Sequence, residues 1–196
     1  MAKINNCKDL IVLLLYAKGA KSKPCEPILG RTRLMKMVFL FNEEVRRKFN
    51  LGQIVAEKAL PDFKPYDYGP FAEQVYIDLE FLVDTSYVKV KHLGFDSEMN
   101  EELPEYQYWQ ATAGLNDEVE GVSGVDEFSL SEVGKKFVED GELGELSQEQ
   151  WDVLDKFKAR CTSIPLKALL RYVYAKYPKM TTNSKILEDI LKEQDA

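Results

Sequence analysis

The residues that could perform catalytic or metal-binding chemistry are few and scattered. His92 is the only histidine, and no second histidine or cysteine stands near it at the spacing of a zinc site. A nucleophile–histidine–acid triad built on His92 would need a Ser or Cys and a carboxylate brought to it by the fold. The cysteines Cys7, Cys25 and Cys161 form no Cys-x-x-Cys pair, so neither a zinc knuckle nor a redox pair is predicted.

Adjacent carboxylates are the other candidates for chemistry. A carboxyl group becomes a useful acid when burial or an enforced like charge raises its pKa. The pairs Glu101–Glu102 and Asp117–Glu118 lie in polar segments, which favour solvated loop charge instead. The sequence has no phosphate-binding loop, no dinucleotide-binding glycine motif and no His-Glu-x-x-His motif. We therefore expect no catalytic residue, no metal and no cofactor; an unfamiliar enzyme would require His92 or a carboxylate pair in a closed pocket.

The composition is that of an ordinary globular protein. The chain has 196 residues, of which 45% are hydrophobic and 30% charged, enough to build one sizeable core. A net charge of -7 argues against nonspecific nucleic-acid binding by the whole molecule. The longest apolar run, Leu10 to Tyr16, is far shorter than the roughly 20 residues of a membrane span. No signal-peptide pattern accompanies it, so we expect a cytoplasmic protein without a membrane partner.

Helical periodicity governs the first part of the chain. Asn5 and Asn6 are suitable caps for a helix whose apolar positions recur at helical spacing as far as Leu15. A second helix is predicted from Gly30 to about Phe49, with one apolar stripe. Its basic residues are expected to lie off that stripe, on the solvent side: Arg31, Arg33, Lys36, Arg46, Arg47 and Lys48.

The segment Tyr66-Asp67-Tyr68-Gly69-Pro70 precedes a third predicted helix, Pro70 to Asp84. Gly69 permits a turn, and Pro70 fits the first helical position because its missing N–H would be unpaired there. Asp67 could accept hydrogen bonds from N–H groups of the turn, and the tyrosines are typical packing anchors. We interpret this motif as structural, a turn that orients the helix, in preference to a ligand pocket or a base-stacking site.

Alternating patterns follow the third helix. They predict strands at Tyr87–Val90, Tyr106–Thr112 and Asp126–Leu130, then a short helix capped by Ser131. Three further helices are predicted at residues 147–160, 164–177 and 183–193. The expected fold is mainly α with a small antiparallel β-hairpin or sheet. Residues 1–140 would form a winged-helix-like core with an acidic wing, and residues 141–196 a helical extension packed on it as one unit.

Three short motifs resemble known families. Gly30-Arg-Thr-Arg-Leu-Met-Lys-Met-Val-Phe-Leu40, Tyr68-Gly-Pro-Phe-Ala-Glu-Gln-Val-Tyr76 and Phe128-Ser-Leu-Ser-Glu-Val-Gly134 resemble elements of the YwgA-type bacterial and archaeal proteins. The first two also resemble the core of the Panacea, or SocA-like, antitoxin domain. The resemblance implies a small, largely helical regulatory protein and, for Panacea domains, neutralisation of a partner by direct binding. The tryptophan common before Tyr-Gly-Pro in Panacea sequences is replaced here by Pro65-Tyr66-Asp67.

Charge separation favours a protein partner. The third helix has no Lys or Arg, and Glu73, Ile77, Glu80 and Asp84 share one of its faces. From Leu93 to Glu127 the chain has ten acidic residues and no basic one. Such a helix and wing would bring carboxylates toward DNA phosphates. We therefore predict a non-enzymatic regulatory or interaction protein, antitoxin-like or adaptor-like, whose acidic face binds another protein or a second copy of itself.

The alternative is a DNA-binding transcriptional regulator. It would use basic residues of the second helix or of the C-terminal helices, where Lys156 and Arg160 are four residues apart, as are Lys167 and Arg171. The candidate nucleic-acid contacts are Arg31, Arg33, Lys36, Lys167 and Arg171.

Overall fold

A computed structural model describes residues 3–48, 51–56, 58–94 and 124–191. The described chain is mainly helical, with one three-stranded and one two-stranded antiparallel sheet. This confirms the predicted fold class at that level. The predicted strand at Tyr106–Thr112 and the pairs Glu101–Glu102 and Asp117–Glu118 lie outside the described residues.

Helices and strands are interspersed in the first part of the described chain, and its last four α-helices follow one another without an intervening strand. A π-helical turn, Phe41–Val45, joins α2 to α3, and short 3-10 turns cover Leu51–Gln53, Glu142–Glu145 and Pro178–Met180. The elements are α1 (Cys7–Tyr16), β1 (Ile28–Leu29), α2 (Arg31–Leu40), α3 (Arg46–Lys48), β2 (Lys64–Tyr66), β3 (Gly69–Phe71), α4 (Glu73–Asp84), β4 (Val88–Gly94), β5 (Gly124–Leu130), α5 (Glu132–Glu139), α6 (Gln148–Thr162), α7 (Leu166–Lys176) and α8 (Leu187–Leu191).

Helix α1 begins as its sequence predicts. The Asn6 side chain accepts a hydrogen bond from the N–H of Asp9, and the Asp9 carboxylate accepts one from the N–H of Asn6. This reciprocal cap satisfies two N–H groups that an α-helix leaves unpaired. Every residue from Leu10 to Leu15 is buried, so α1 is a central helix of the core.

Helix α2 differs from its prediction because it is buried on all sides. Residues from Arg33 to Phe41 are all inaccessible to solvent, including two cations. The expectation that Arg33 and Lys36 face solvent is wrong. Arg33 instead donates to the carbonyl of Ile164 and Lys36 to that of Pro70, so each buried cation has a backbone acceptor in a distant segment.

Strands β1, β5 and β4 form the three-stranded sheet in that order, with Ile28 opposite Phe128 and Val88 opposite Leu130. Phe128 and Leu130 turn their side chains into the core. Ser131 then caps α5, as predicted: its hydroxyl accepts from the N–H of Gly134 and donates to the carbonyl of Ser86. The sheet is therefore fixed to the start of α5.

The segment from Tyr66 to Pro70 is a β-hairpin and not a helix start. Pro70 lies in β3 opposite Pro65, and α4 begins at Glu73 with Ala72 as its N-cap. The prediction that Pro70 occupies the first helical position is therefore wrong. Gly69 is the hairpin's required glycine, since its φ of +83° disfavours any side chain.

The three C-terminal helices predicted from the sequence are present, although α8 is described only from Leu187 to Leu191. Leu154, Leu170 and Val173 join residues of α1 and α2 in one continuous hydrophobic cluster. The predicted boundary at residue 141 therefore does not interrupt the core. None of the described helices has the length and apolar character needed to cross a membrane.

Candidate interaction surfaces

The outward face of α4 is the first candidate surface. Val75, Leu79 and Leu82 are buried and anchor the helix to the core. The opposite side of the helix therefore faces solvent. Glu73, Ile77, Glu80 and Asp84 all lie on that exposed side, as their spacing of three and four residues predicts. We call these residues together with Phe81 the acidic face.

The acidic face combines charge with apolar area. Ile77 is 49% exposed and Phe81 is 50% exposed, a large fraction for apolar side chains. The ammonium of Lys8 lies 5.3 Å from the centre of the Phe81 ring. Tyr66, also exposed, stacks on Phe71, whose ring meets Tyr76 of α4 edge-on. Aromatic groups rimmed by charge are typical of protein-binding surfaces.

The helix also carries a carboxylate that does not belong to this surface. Asp78 is buried and accepts hydrogen bonds from Lys8 at 3.2 Å and from Gln74 at 2.9 Å. Glu80, in contrast, forms an exposed ion pair with Arg31 at 3.2 Å. An exposed pair of this kind contributes about 0–1 kcal/mol, so a partner's cation can replace Arg31 at little cost.

The five candidate nucleic-acid contacts do not form one accessible basic surface. Arg31 is exposed but pairs with Glu80 of α4 and, at 3.5 Å, with Asp126 of β5. Arg33 and Lys36 are 3% and 2% exposed. Lys167 and Arg171 are half-buried, and the guanidinium of Arg171 donates to the carbonyl of Ile190. The structure thus separates residues that the sequence grouped together.

The Tyr66–Pro70 hairpin is held by the C-terminal segment. The carbonyl of Asp67 accepts from the N–H of Lys185 at 2.9 Å, and the two side chains form an ion pair. The ring of Tyr174 packs so closely on Gly69 that an added Cβ would lie 2.9 Å from it. In the described part of the chain, the hydrogen bonds and the ion pair of Asp67 are therefore with the segment between α7 and α8, and none is with an N–H group of the turn.

The described residues do not enclose His92 in a pocket. It is exposed on β4, directly opposite Asp126 of β5, and its Nδ1 is 3.0 Å from the Asp126 carboxylate. Asp126 also contacts Arg31. Within the described ranges, no three His, Cys, Asp or Glu side chains are grouped as a metal site.

A second candidate surface is a cleft that the sequence analysis missed. It has a volume of about 720 Å³ and lies between the π-helical turn and helices α6 and α7. Its walls are mainly apolar, with Val45, Val153, Phe157, Ile164 and Leu169 among them. This volume falls within the range of small-molecule sites, about 300–1,000 Å³. The α6–α7 bend at Ser163-Ile164-Pro165 was the only local signal for a corner here.

The carboxylate of Glu44 ties the π-helical turn to α7 at this cleft. It accepts hydrogen bonds from the hydroxyls of Tyr172 at 2.8 Å and Tyr177 at 2.9 Å, and it pairs with Lys176 at 2.9 Å. Widened π turns frequently occur at functional sites because they redirect side chains. Here the turn directs Glu44 toward α7, and burial with the Glu44 contact raises the pKa of Tyr177.

Comparison with protein-family models, curated proteins and solved structures gave no match to this chain.

Proposed function

We propose that this protein is a non-enzymatic regulatory or adaptor protein that acts by binding another protein through the acidic face of α4. The observation that carries the proposal is the pattern on that face, where Ile77 and Phe81 are half exposed among the carboxylates of Glu73, Glu80 and Asp84. The apolar side chains supply area to bury, and the carboxylates select a basic partner and speed its association. An antitoxin-like mode, neutralisation by direct binding, agrees with the resemblance to Panacea domains.

The proposed architecture behind this function is a winged-helix-like core. Its support is the order α1, β1, α2, α4, β4, β5, together with a sheet in which the last strand lies between the other two. In such a core α4 occupies the place of the DNA-recognition helix. An acidic helix at that place favours a protein partner, because carboxylates repel phosphates.

A partner other than a second copy is favoured by charge. A symmetric dimer formed through the acidic face would place Glu73, Glu80 and Asp84 of one protomer against the same carboxylates of the other. Like charges at an interface oppose association. Sedimentation velocity tests this point, and we expect the wild-type protein to be a monomer. If it is a dimer, and if the charge-reversal variant described below is a monomer, the acidic face binds a second copy of the chain instead.

Charge reversal tests the proposed surface. In the variant Glu73→Lys/Glu80→Lys/Asp84→Lys we expect partner affinity to fall by about tenfold or more, mainly through slower association. The wild-type protein and the variant would each be immobilised and used to capture partners from lysate of the source cell. Each protein that binds the wild type but not the variant is then purified, and its affinity for both is measured by titration. Asp140→Lys/Glu149→Lys/Asp189→Lys changes exposed carboxylates elsewhere by the same net charge and serves as the control. Equal binding by wild type and the α4 variant would discard this surface.

Titration with a generic labelled DNA duplex tests the alternative, a DNA-binding regulator. We expect no change in fluorescence anisotropy from about 50 mM salt upward, because the basic side chains expected to bind are buried or paired. Tight binding that weakens steeply with salt would contradict the proposal. The double substitution Lys167→Ala/Arg171→Ala would then show whether α7 provides the contacts.

A further inference from the structure

The cleft between the π-helical turn and helices α6 and α7 is independent of the acidic face and has its own chemistry. We propose that it binds a small amphipathic anion, a molecule with an apolar chain or ring system and one terminal carboxylate. The apolar body would lie along Val153, Phe157 and Leu169, and the carboxylate would meet Lys156 and Arg160.

Charge complementarity selects an anion. The acidic and basic side chains that line the cleft are Glu44, Lys156 and Arg160. The Glu44 carboxylate is already engaged by two tyrosine hydroxyls and by Lys176, so it has little capacity left for a ligand. Neither Lys156 nor Arg160 forms an ion pair with a residue in the described part of the chain. The charge available to a ligand is therefore positive.

The two cations are placed to act together. They are four residues apart in α6, which puts them one helical turn apart on one side of that helix. Both side chains are exposed, while Val45 and Leu169, which also line the cleft, are buried. An Arg guanidinium binds a carboxylate with two parallel hydrogen bonds, and a neighbouring Lys adds a point charge. An anion with an apolar body satisfies both halves of the site.

Other occupants fit less well. A cation would have to displace Lys176 and both phenols from Glu44. The mainly apolar lining offers little for a strongly polar ligand, and burial raises the pKa of the Cys161 thiol in that lining to about 12, so the thiol is neutral. A neutral apolar molecule would leave Lys156 and Arg160 without partners.

Calorimetric titration with dodecanoate, below its micelle concentration, tests the proposal on the full chain. We expect saturable binding of one molecule per chain. Lys156→Gln/Arg160→Gln should weaken it by about tenfold or more, because charge-assisted hydrogen bonds are lost. The matched control Lys89→Gln/Lys91→Gln removes two exposed cations from β4 and should bind like wild type. Dodecyltrimethylammonium, with the same chain and the opposite charge, should bind wild type at least about tenfold more weakly than dodecanoate.

A second variant separates the apolar walls from the charges. Ala159 lines the cleft in α6, so Ala159→Phe should fill it and abolish dodecanoate binding. Thermal unfolding of each variant shows whether a loss of binding is a loss of fold. The proposal is overturned if wild type does not bind dodecanoate, if the β4 control loses as much affinity as the α6 variant, or if the cationic analogue binds as well. An acidic amphipathic peptide could also compete with dodecanoate for the cleft. If the peptide binds more tightly than dodecanoate, the ligand of the cleft is a protein segment and the small-molecule proposal is overturned.

Discussion

Replacement of Lys158 by methionine is expected to lower the free energy of unfolding by about 4 kcal/mol, and the melting temperature by about 10 °C. Lys158 is fully buried in α6, yet its ammonium has an acceptor for each of its three N–H groups. It donates to the carbonyl oxygens of Leu15 at 2.9 Å, Ala17 at 2.7 Å and Glu26 at 2.6 Å. The first two are at the end of α1, where an α-helix leaves carbonyls unpaired.

Methionine keeps the length and the apolar stem of the side chain but removes all three donors. Each buried carbonyl that then lacks a partner costs about 1–3 kcal/mol. Burial lowers the pKa of Lys158 to about 8, so the ammonium still carries its charge at neutral pH and complements the negative end of α1. The loss is therefore larger than that of an ordinary hydrogen bond.

Lys156→Met is the matched control, since it makes the same substitution two residues earlier on the exposed side of α6. We expect it to change the free energy of unfolding by less than about 0.5 kcal/mol. Urea unfolding at neutral pH, followed by circular dichroism, measures both variants. A Lys158→Met protein within about 1 kcal/mol of wild type would mean that water or a rearranged backbone satisfies the three carbonyls.

The parts of the fold that the sequence predicted are those with local causes. Asn6, Ser131 and Ser147 cap helices through hydrogen bonds to groups three residues away. Capping preferences are properties of such short segments, so they are visible without knowledge of the rest of the chain. The outward side of α4 was predictable for the same kind of reason, because its buried stripe is made of residues one turn apart.

The buried cations could not be predicted because their partners are distant in sequence. Arg33 reaches Ile164, Lys36 reaches Pro70 and Lys158 reaches Leu15. A helical wheel places Arg33 and Lys36 beside an apolar stripe and assumes water around them. In the structure α2 is surrounded by protein, and each cation supplies the donor that an otherwise unpaired carbonyl needs.

The cleft has an equally nonlocal origin. Its walls come from the π-helical turn and from two helices more than a hundred residues further along the chain. The apolar residues Met37, Phe41 and Val45 keep helical spacing through the π-helical turn, so the sequence predicts one continuous helix there. At Pro70 a local signal gave a wrong prediction. Gly-Pro before an amphipathic segment is typical of a helix start. The conformation is instead determined by the pairing of Pro65 with Pro70 and by the contacts to Lys185 and Tyr174.

Stability is expected to rise with pH from about pH 7 to about pH 9, by on the order of 2 kcal/mol, because of Lys36. Burial lowers the pKa of Lys36 from 10.5 to about 7 in the folded protein, where its ammonium donates to the carbonyl of Pro70. Between those two pKa values Lys36 binds more protons in the unfolded chain than in the folded protein, so its titration favours folding as the pH rises. The cost of the buried charge is fully present below about pH 7 and disappears as the pH approaches 10.5.

Lys158 acts in the same direction from about pH 8, and other buried groups set the upper limit of the rise. Burial raises the pKa of the Cys7 and Cys161 thiols from 9.0 to about 12 and that of the Tyr174 hydroxyl from 10.0 to about 12. Above about pH 9 the unfolded chain loses these protons first, so stability then falls. We therefore expect a maximum near pH 9 and not at neutral pH.

Urea unfolding at pH values from about 6 to about 10 measures this profile, and Lys36→Met isolates its cause. The variant lacks the titrating group, so the rise between about pH 7 and pH 9 should shrink by on the order of 2 kcal/mol, whatever its absolute stability. Lys91→Met, which removes an exposed lysine of β4, should keep the wild-type slope. The slope is the decisive quantity, because loss of the Pro70 hydrogen bond changes stability at every pH while only the titration of Lys36 changes its dependence on pH. Equal slopes in wild type and Lys36→Met would mean that Lys36 keeps its proton throughout this range and that its ammonium is stabilised in the core as a permanent charge.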